Sequence, residues 1–144
     1  MARLKIDIKG DVIAKISLKV RITDINYGNH VGNDAFVAII HEARMQWLHQ
    51  YQFTELNIAG TGLIMSDLQL EFKNESFYGD EIEIAICAGE ISTVSFELYY
   101  RLTTDRDNKN ILLANAKTGM VCYDYENKKM VALPNELKKL LQAN

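Results

Sequence analysis

The sequence predicts an α+β protein in which one long helix covers a face of an antiparallel sheet. Three observations carry this. Apolar residues recur at every second position through much of the chain of 144 residues, the pattern of strands with one face in a core. A single segment, Asp34 to Tyr51, changes to the helical period. After that helix the chain returns to strand character and stays there, a run of about four antiparallel strands.

The elements follow in order. From Lys5 to Ile22, Ile6, Ile8, Val12, Ile16, Leu18 and Val20 alternate with polar or charged residues, which predicts a hairpin turned at Lys9-Gly10-Asp11. A polar, glycine-rich turn, Asp24 to Asp34, leads into the helix. There Phe36, Ile40, Ala43, Trp47 and Tyr51 form one apolar stripe, flanked by Val37, Arg44 and Leu48. Gln52 to Thr61 is a connection. Strands are predicted over Leu63 to Phe72, Ile82 to Gly89, Val94 to Leu102 and Ile111 to Tyr125. Tyr78-Gly79-Asp80 and Glu126-Asn127-Lys128-Lys129 read as turns, and Thr103 to Asn110 as a polar loop. Pro134 opens a short helix over Asn135 to Leu141, where a first-turn proline costs little.

The length and a hydrophobic fraction of 48% fit one domain with a substantial core. The N-terminus lacks the apolar run of a signal peptide and no stretch is long enough to span a bilayer, so a cytoplasmic protein is expected. A formal net charge of −3 without a basic run argues against nucleic-acid binding. Cys87 and Cys122 each lie in an apolar strand-like run, far apart and with no metal-ligand spacing, and read as buried thiols. Apolar residues on both faces of some strands point to a second copy covering a face or edge, hence a homo-oligomer, dimer or tetramer.

The chemistry concentrates in the turn before the helix. Gly28 and Gly32 permit left-handed backbone or close approach, the exposed main chain supplies N–H groups, and the helix adds partial positive charge behind them. Such a place suits an oxyanion.

Taken together, Thr23-Asp24-Ile25-Asn26-Tyr27-Gly28-Asn29-His30-Val31-Gly32-Asn33, the helical His41-Glu42-Ala43-Arg44, the later Tyr78-Gly79-Asp80-Glu81-Ile82, and Val121 to Asn127 leading to Val131-Ala132-Leu133-Pro134 resemble hotdog-fold thioesterases of the 4-hydroxybenzoyl-CoA thioesterase-like family. The resemblance covers nearly the whole chain. It implies a sheet wrapped around a central helix, dimers that pair sheets edge to edge, and thioesters of acyl-CoA or acyl-carrier-protein as substrates. It implies no cofactor and no metal. Members usually carry a catalytic aspartate four residues before the position of His30, where this chain has Asn26. Asp24 matches a second acidic position common in the family. Many relatives have glutamate three residues before the helical arginine, where this chain has His41.

Thioester hydrolysis needs a donor for the carbonyl oxygen, an activated water and a group to manage its proton. The Asn33 N–H, in the first helical turn, is the expected donor, and Asn33 or Asp34 is also a candidate helix cap. At about 100° per residue, Glu42 points away from the apolar stripe. His41 falls on its border, in line with Asp34, which makes His41 the candidate base. Asn26 is no base or nucleophile but would hold the water or the carbonyl. Asp24 would orient His30 or water, or serve the turn. His30 shapes the loop, and Gly28, His30, Gly32 and Asp34 are the expected substrate contacts. Arg44, close to the apolar side, needs a partner, through an ion pair or a subunit contact. Lys73, Arg101 and Lys117 are the basic residues available for coenzyme A phosphates. The competing reading is a hotdog module that binds acyl-CoA, or a scaffold, without catalysis.

Overall fold

The computed structural model describes residues 3–142. Strand β1 (Val12–Lys19) runs through a short 3-10 turn (Ile22–Asp24) and the polar loop into α1 (Asn33–His49). Four long strands follow, β2 (Gly62–Phe72), β3 (Glu81–Ile91), β4 (Ser95–Arg106) and β5 (Lys109–Asp124), then the short β6 (Lys129–Met130) and the helix α2 (Asn135–Leu140). The strands pair antiparallel in the order β1-β3-β4-β5-β2, with β6 against the end of β5. This is the hotdog arrangement, a sheet curved around α1. Shifts in register between Val12 and Ala14, Met65 and Asp67, Ala88 and Ile91, and Leu102 and Thr103 bend the strands around the helix.

The core lies between α1 and the concave face of the sheet. Phe36, Ile40, Ala43, Trp47 and Leu48 of α1 are buried against Ile82, Ile84 and Ile86 of β3, Leu98, Tyr100 and Leu102 of β4, and Ala114, Ala116 and Met120 of β5. α1 runs nearest to β1 and β3, and the large side chains on β3 and β4 fill the space between helix and sheet. Trp47 is wholly buried; truncating such a side chain to alanine costs about 3–5 kcal/mol. Leu137 and Leu141 close the end of this core. Cys87 and Cys122 are buried free thiols, Cys122 with its pKa pushed up by burial to about 11.

Two expected turns fall elsewhere. No hairpin forms at Lys9-Gly10-Asp11. Residues 3–10 carry no strand pairing and lie across the outer face, where Ile6 and Ile8 cover Cys87 and Tyr99 and the Ile6 N–H donates to Glu71 Oε1 at 3.1 Å. The alternation there reports a face laid on the sheet, not a paired backbone. Gly10 is required at the crossing: its φ is +84°, and a Cβ would sit 1.8 Å from the Ala88 carbonyl oxygen. Thr103 to Asn110 is not a loop. β4 continues to Arg106 and turns through Asp107 and Asn108, at φ 53° and 62°. A pair of left-handed residues makes the tight two-residue hairpin turn. Thr103 and Thr104 are buried, and the Thr104 hydroxyl donates to the Glu81 carbonyl at 2.8 Å, so their polarity hid a strand. At the far end of the stripe Tyr51 lies beyond α1 and is exposed. Pro134 is the residue just before α2 rather than its first member.

Candidate active site

The loop before α1 is closed by its own backbone. The Gly32 N–H donates to the Asp24 carbonyl at 3.1 Å, the Asn26 N–H to the His30 carbonyl at 3.0 Å, and the Asn29 N–H to the Asn26 carbonyl at 3.1 Å. Asn29 takes the left-handed conformation, φ 66°, that lets so short a loop reverse. From outside, the Val31 N–H donates to the carbonyl of the buried Ser76 at 2.8 Å. Asp80 organises that second turn: Oδ2 accepts from the Ser76 hydroxyl at 3.0 Å, the Phe77 N–H at 2.9 Å and Arg106 Nη2 at 2.6 Å. Burial acts against the Asp80 charge, yet these donors together hold its carboxyl below the ordinary aspartate value.

The helix begins without a side-chain cap, Gly32 being the N-cap residue and neither Asn33 nor Asp34 filling that role. Its first hydrogen bond runs from the Phe36 N–H to the Gly32 carbonyl at 3.2 Å. Among the described residues the N–H groups of Asn33, Asp34 and Ala35 have no acceptor, as the first turn of a helix dictates when nothing caps it. Asn26 lies beside this end. Its Oδ1 accepts the Gly28 N–H at 2.9 Å. At Gly32 a Cβ would sit 2.7 Å from Asp34 Oδ1 and 3.5 Å from Asn26 Cβ, so a side chain there would displace the Asp34 carboxylate. A Cβ on Gly28 would come within 3.2 Å of both Asn26 Oδ1 and His30 Nε2. Asn26 thus lies between Gly28 with His30 on one side and Gly32 with Asp34 on the other, beside a helix start whose three unpartnered N–H groups are aligned with the helix dipole.

Two residues of the expected set serve the loop's frame. The Asp24 carboxylate turns back, Oδ2 accepting the Arg21 N–H at 2.8 Å. His30 Nδ1 is 3.2 Å from the Val31 carbonyl, and its Nε2 is 3.9 Å from Glu75.

His41 is not gathered with them. At about 1.5 Å of rise per residue, its position eight residues beyond Asn33 places it roughly 12 Å along the axis. It lines a cavity of about 370 Å³ between α1 and β2, with Arg44, Glu55, Met65, Thr118 and Tyr125. His41 Nε2 is 2.6 Å from Glu55 Oε1, and Arg44 Nε donates to Glu55 Oε2 at 2.7 Å. The buried Arg44 also donates from Nη1 to the Tyr100 hydroxyl at 3.2 Å, which lies 2.8 Å from Thr118 Oγ1. Burial works against the charge on Arg44, but Tyr100 and Glu55 hold its pKa above the usual arginine value. Burial lifts the Tyr100 phenol, which stays neutral. A second cavity of about 400 Å³ opens on the opposite flank of α1, lined by Leu18, Arg21, Asp24, Ile39, Glu42 and Gln46. Glu42 is exposed and accepts from Gln46 Nε2 at 2.8 Å. The structure therefore brings Glu42 together with Asp24, and His41 with Glu55.

Arg44 has the partner its position demanded. Glu55 itself escaped the sequence reading, although it is the one carboxylate in the Gln52 to Thr61 connection. Lys73 and Lys117, two of the basic residues available for phosphates, are engaged with Glu71 at 3.0 Å and Asp67 at 2.8 Å. Among the described residues no group of His, Cys, Asp or Glu is arranged to hold a metal ion, and no helix is long and apolar enough to cross a membrane.

Solved structures share this fold at low sequence identity. A 1,4-dihydroxy-2-naphthoyl-CoA thioesterase from Synechocystis is 22% identical, with a TM-score of 0.78 over 88% of this chain and 93% of that one. The dynemicin thioesterase is 17% identical, with a TM-score of 0.81 over 91% and 95%. A mutant of 4-hydroxybenzoyl CoA thioesterase, complexed with 4-hydroxybenzoyl CoA, is 15% identical, with a TM-score of 0.79 over 90% and 98%. No curated protein matches the chain. The model of the thioesterase-like superfamily matches residues 20–141, from the end of β1 to the end of α2, and the chain belongs to that superfamily.

Proposed function

We propose that the chain hydrolyses an acyl thioester, of coenzyme A or of an acyl carrier protein, by water attack at the N-terminus of α1. The observation that carries this reading is the set of unpartnered N–H groups at Asn33 to Ala35, beside the Asn26 amide and behind a loop with no side chain at Gly32. Donors fixed in this way stabilise the oxyanion of a tetrahedral intermediate without rearranging, typically by about 3–4 kcal/mol per donor. Asn33 N–H holds the developing oxyanion, Asn26 positions the water or the carbonyl, and His41 takes the proton of water. Gly28, Gly32, His30 and Asp34 line the approach.

The distance along α1 adds a condition. A base acts within about 3 Å of the proton it removes, or through one water, and His41 lies too far from Asn33 of its own chain. The His41 that serves one loop therefore belongs to a second copy. The side chain is 57% exposed, and its cavity opens beside β2, an edge strand paired only with β5. Edge-to-edge pairing along β2 in a homodimer would place another chain over it.

A panel of short, long and aromatic acyl-CoA thioesters tests the reading. Hydrolysis is expected with at least one class, and His41→Ala should lower kcat about 10²-fold or more. Wild-type turnover by that variant would remove His41 from the mechanism, and trapping an acyl-enzyme on Asp24 or Glu42 would contradict direct attack by water. Binding without turnover across the panel would favour a non-catalytic acyl-CoA module, the reading supported by an amide at Asn26 where relatives carry a carboxylate.

A further inference from the structure

We infer that Glu55 is a positioning residue for His41: it fixes the imidazole with its proton on Nε2 and leaves Nδ1 as the nitrogen that accepts the proton of water. The inference rests on the reading of His41 as the base.

The backbone places Glu55 before its side chain acts. The Glu55 carbonyl accepts the Leu63 N–H at 2.7 Å, tying the connection to the start of β2, and the Phe53 N–H donates back to the Leu48 carbonyl at 3.1 Å. Between these two anchors the carboxylate is held beneath one flank of α1. His41 and Arg44 are three residues apart and so share that flank. Each meets a different oxygen, His41 Nε2 lying 2.6 Å from Oε1 and Arg44 Nε donating to Oε2 at 2.7 Å.

The electrostatics decide which member is the base. Arg44 is 5% exposed and permanently charged, so the carboxylate beside it is ionised and compensated. An ionised carboxylate only accepts, so the short contact requires a proton on Nε2. With Nε2–H committed to Glu55, Nδ1 is the ring nitrogen left to carry a lone pair when the ring is neutral. Behind Arg44, the Tyr100 and Thr118 hydroxyls tie the assembly to β4 and β5. The imidazole is thus oriented from the sheet through four side chains.

In the reaction, Nδ1 takes one proton from water as the water oxygen bonds to the thioester carbon. The intermediate collapses, the C–S bond breaks, and the leaving thiolate takes the proton back from Nδ1. Glu55 remains ionised throughout and stabilises the imidazolium that forms between the two steps.

A double-mutant cycle on hydrolysis, paired with histidine NMR of the substrate-free protein, tests this. Glu55→Gln should lower kcat about 10- to 100-fold, part of the roughly 10²–10⁴ that a general base supplies, with KM within about twofold. The double variant with His41→Ala should be no slower than His41→Ala alone, because Glu55 acts only through that ring. Multiplying effects would mean that Glu55 merely supports the fold. In wild type, ¹⁵N-labelled histidine should show a His41 Nε2–H proton protected from exchange. A ring protonated on Nδ1, or an unprotected Nε2–H, would overturn the inference even if Glu55→Gln did not fold. The NMR result stands without turnover, so absence of any thioesterase activity would refute the hydrolytic reading while the spectrum still decides the role of Glu55.

Discussion

Asp80 shows how one carboxylate far from the reacting atoms can control the loop that bears them. It holds Ser76 by the hydroxyl, and the Ser76 carbonyl holds Val31 one residue before the N-cap. Because donors depress its pKa in the folded state, its stabilisation is complete above the ordinary aspartate pKa of about 3.9 and is lost as pH falls through the lower folded value. Asp80→Asn should therefore cost about 1–3 kcal/mol at pH 7, and the gap from wild type should narrow below about pH 4. Urea unfolding at the two pH values measures both; a gap independent of pH would show that charge is not what Asp80 contributes. At this scale the sequence was legible where one residue posed a demand. Arg44 on an apolar flank required a partner, and one exists. It was not legible where the answer lay in the meeting of segments: nothing local to Glu55 says that a connection folds under α1, whereas the separation of Asn33 and His41 follows from their spacing along one helix.

The elements were legible wherever burial and pairing coincide. α1 stands out because its period differs from everything around it, and β2, β3 and β5 because one face is apolar. The signal failed where the two separate. Residues 3–10 bury Ile6 without pairing, while Asp105 and Asn110 pair although both are exposed. The free edge of β2 is the element with the clearest consequence. Past Leu63, whose N–H is taken by the Glu55 carbonyl, its outer row of backbone groups pairs with no other strand among the described residues, and Met65 and Phe72 on it are 44% and 41% exposed. Long edges of this kind invite another strand. Light scattering should give at least twice the 16.4 kDa of the chain at micromolar concentration; a stable monomer would remove both the edge pairing and the second-copy role of His41.

Across the whole molecule, α1 is a partition, with one cavity on the β2 side and one on the β1 side. The sheet that carries it has the β4–β5 hairpin at its middle, flanked by β3 and β2. That hairpin is closed by only Asp107 and Asn108, so its contacts are among the most local in the sheet, whereas β2 must find β5 across the whole of β3 and β4. Chain closure over short loops precedes closure over long ones. The two left-handed residues thus bear on the expected order of events as well as on the final shape: the hairpin should form early and the outer strands add to it. Asn108→Val, a branched side chain at φ 62°, should slow refolding in proportion to the stability lost and leave the unfolding rate nearly unchanged. Stopped-flow chevrons read the difference, and faster unfolding at an unaltered refolding rate would place closure of this turn after the rate-limiting barrier.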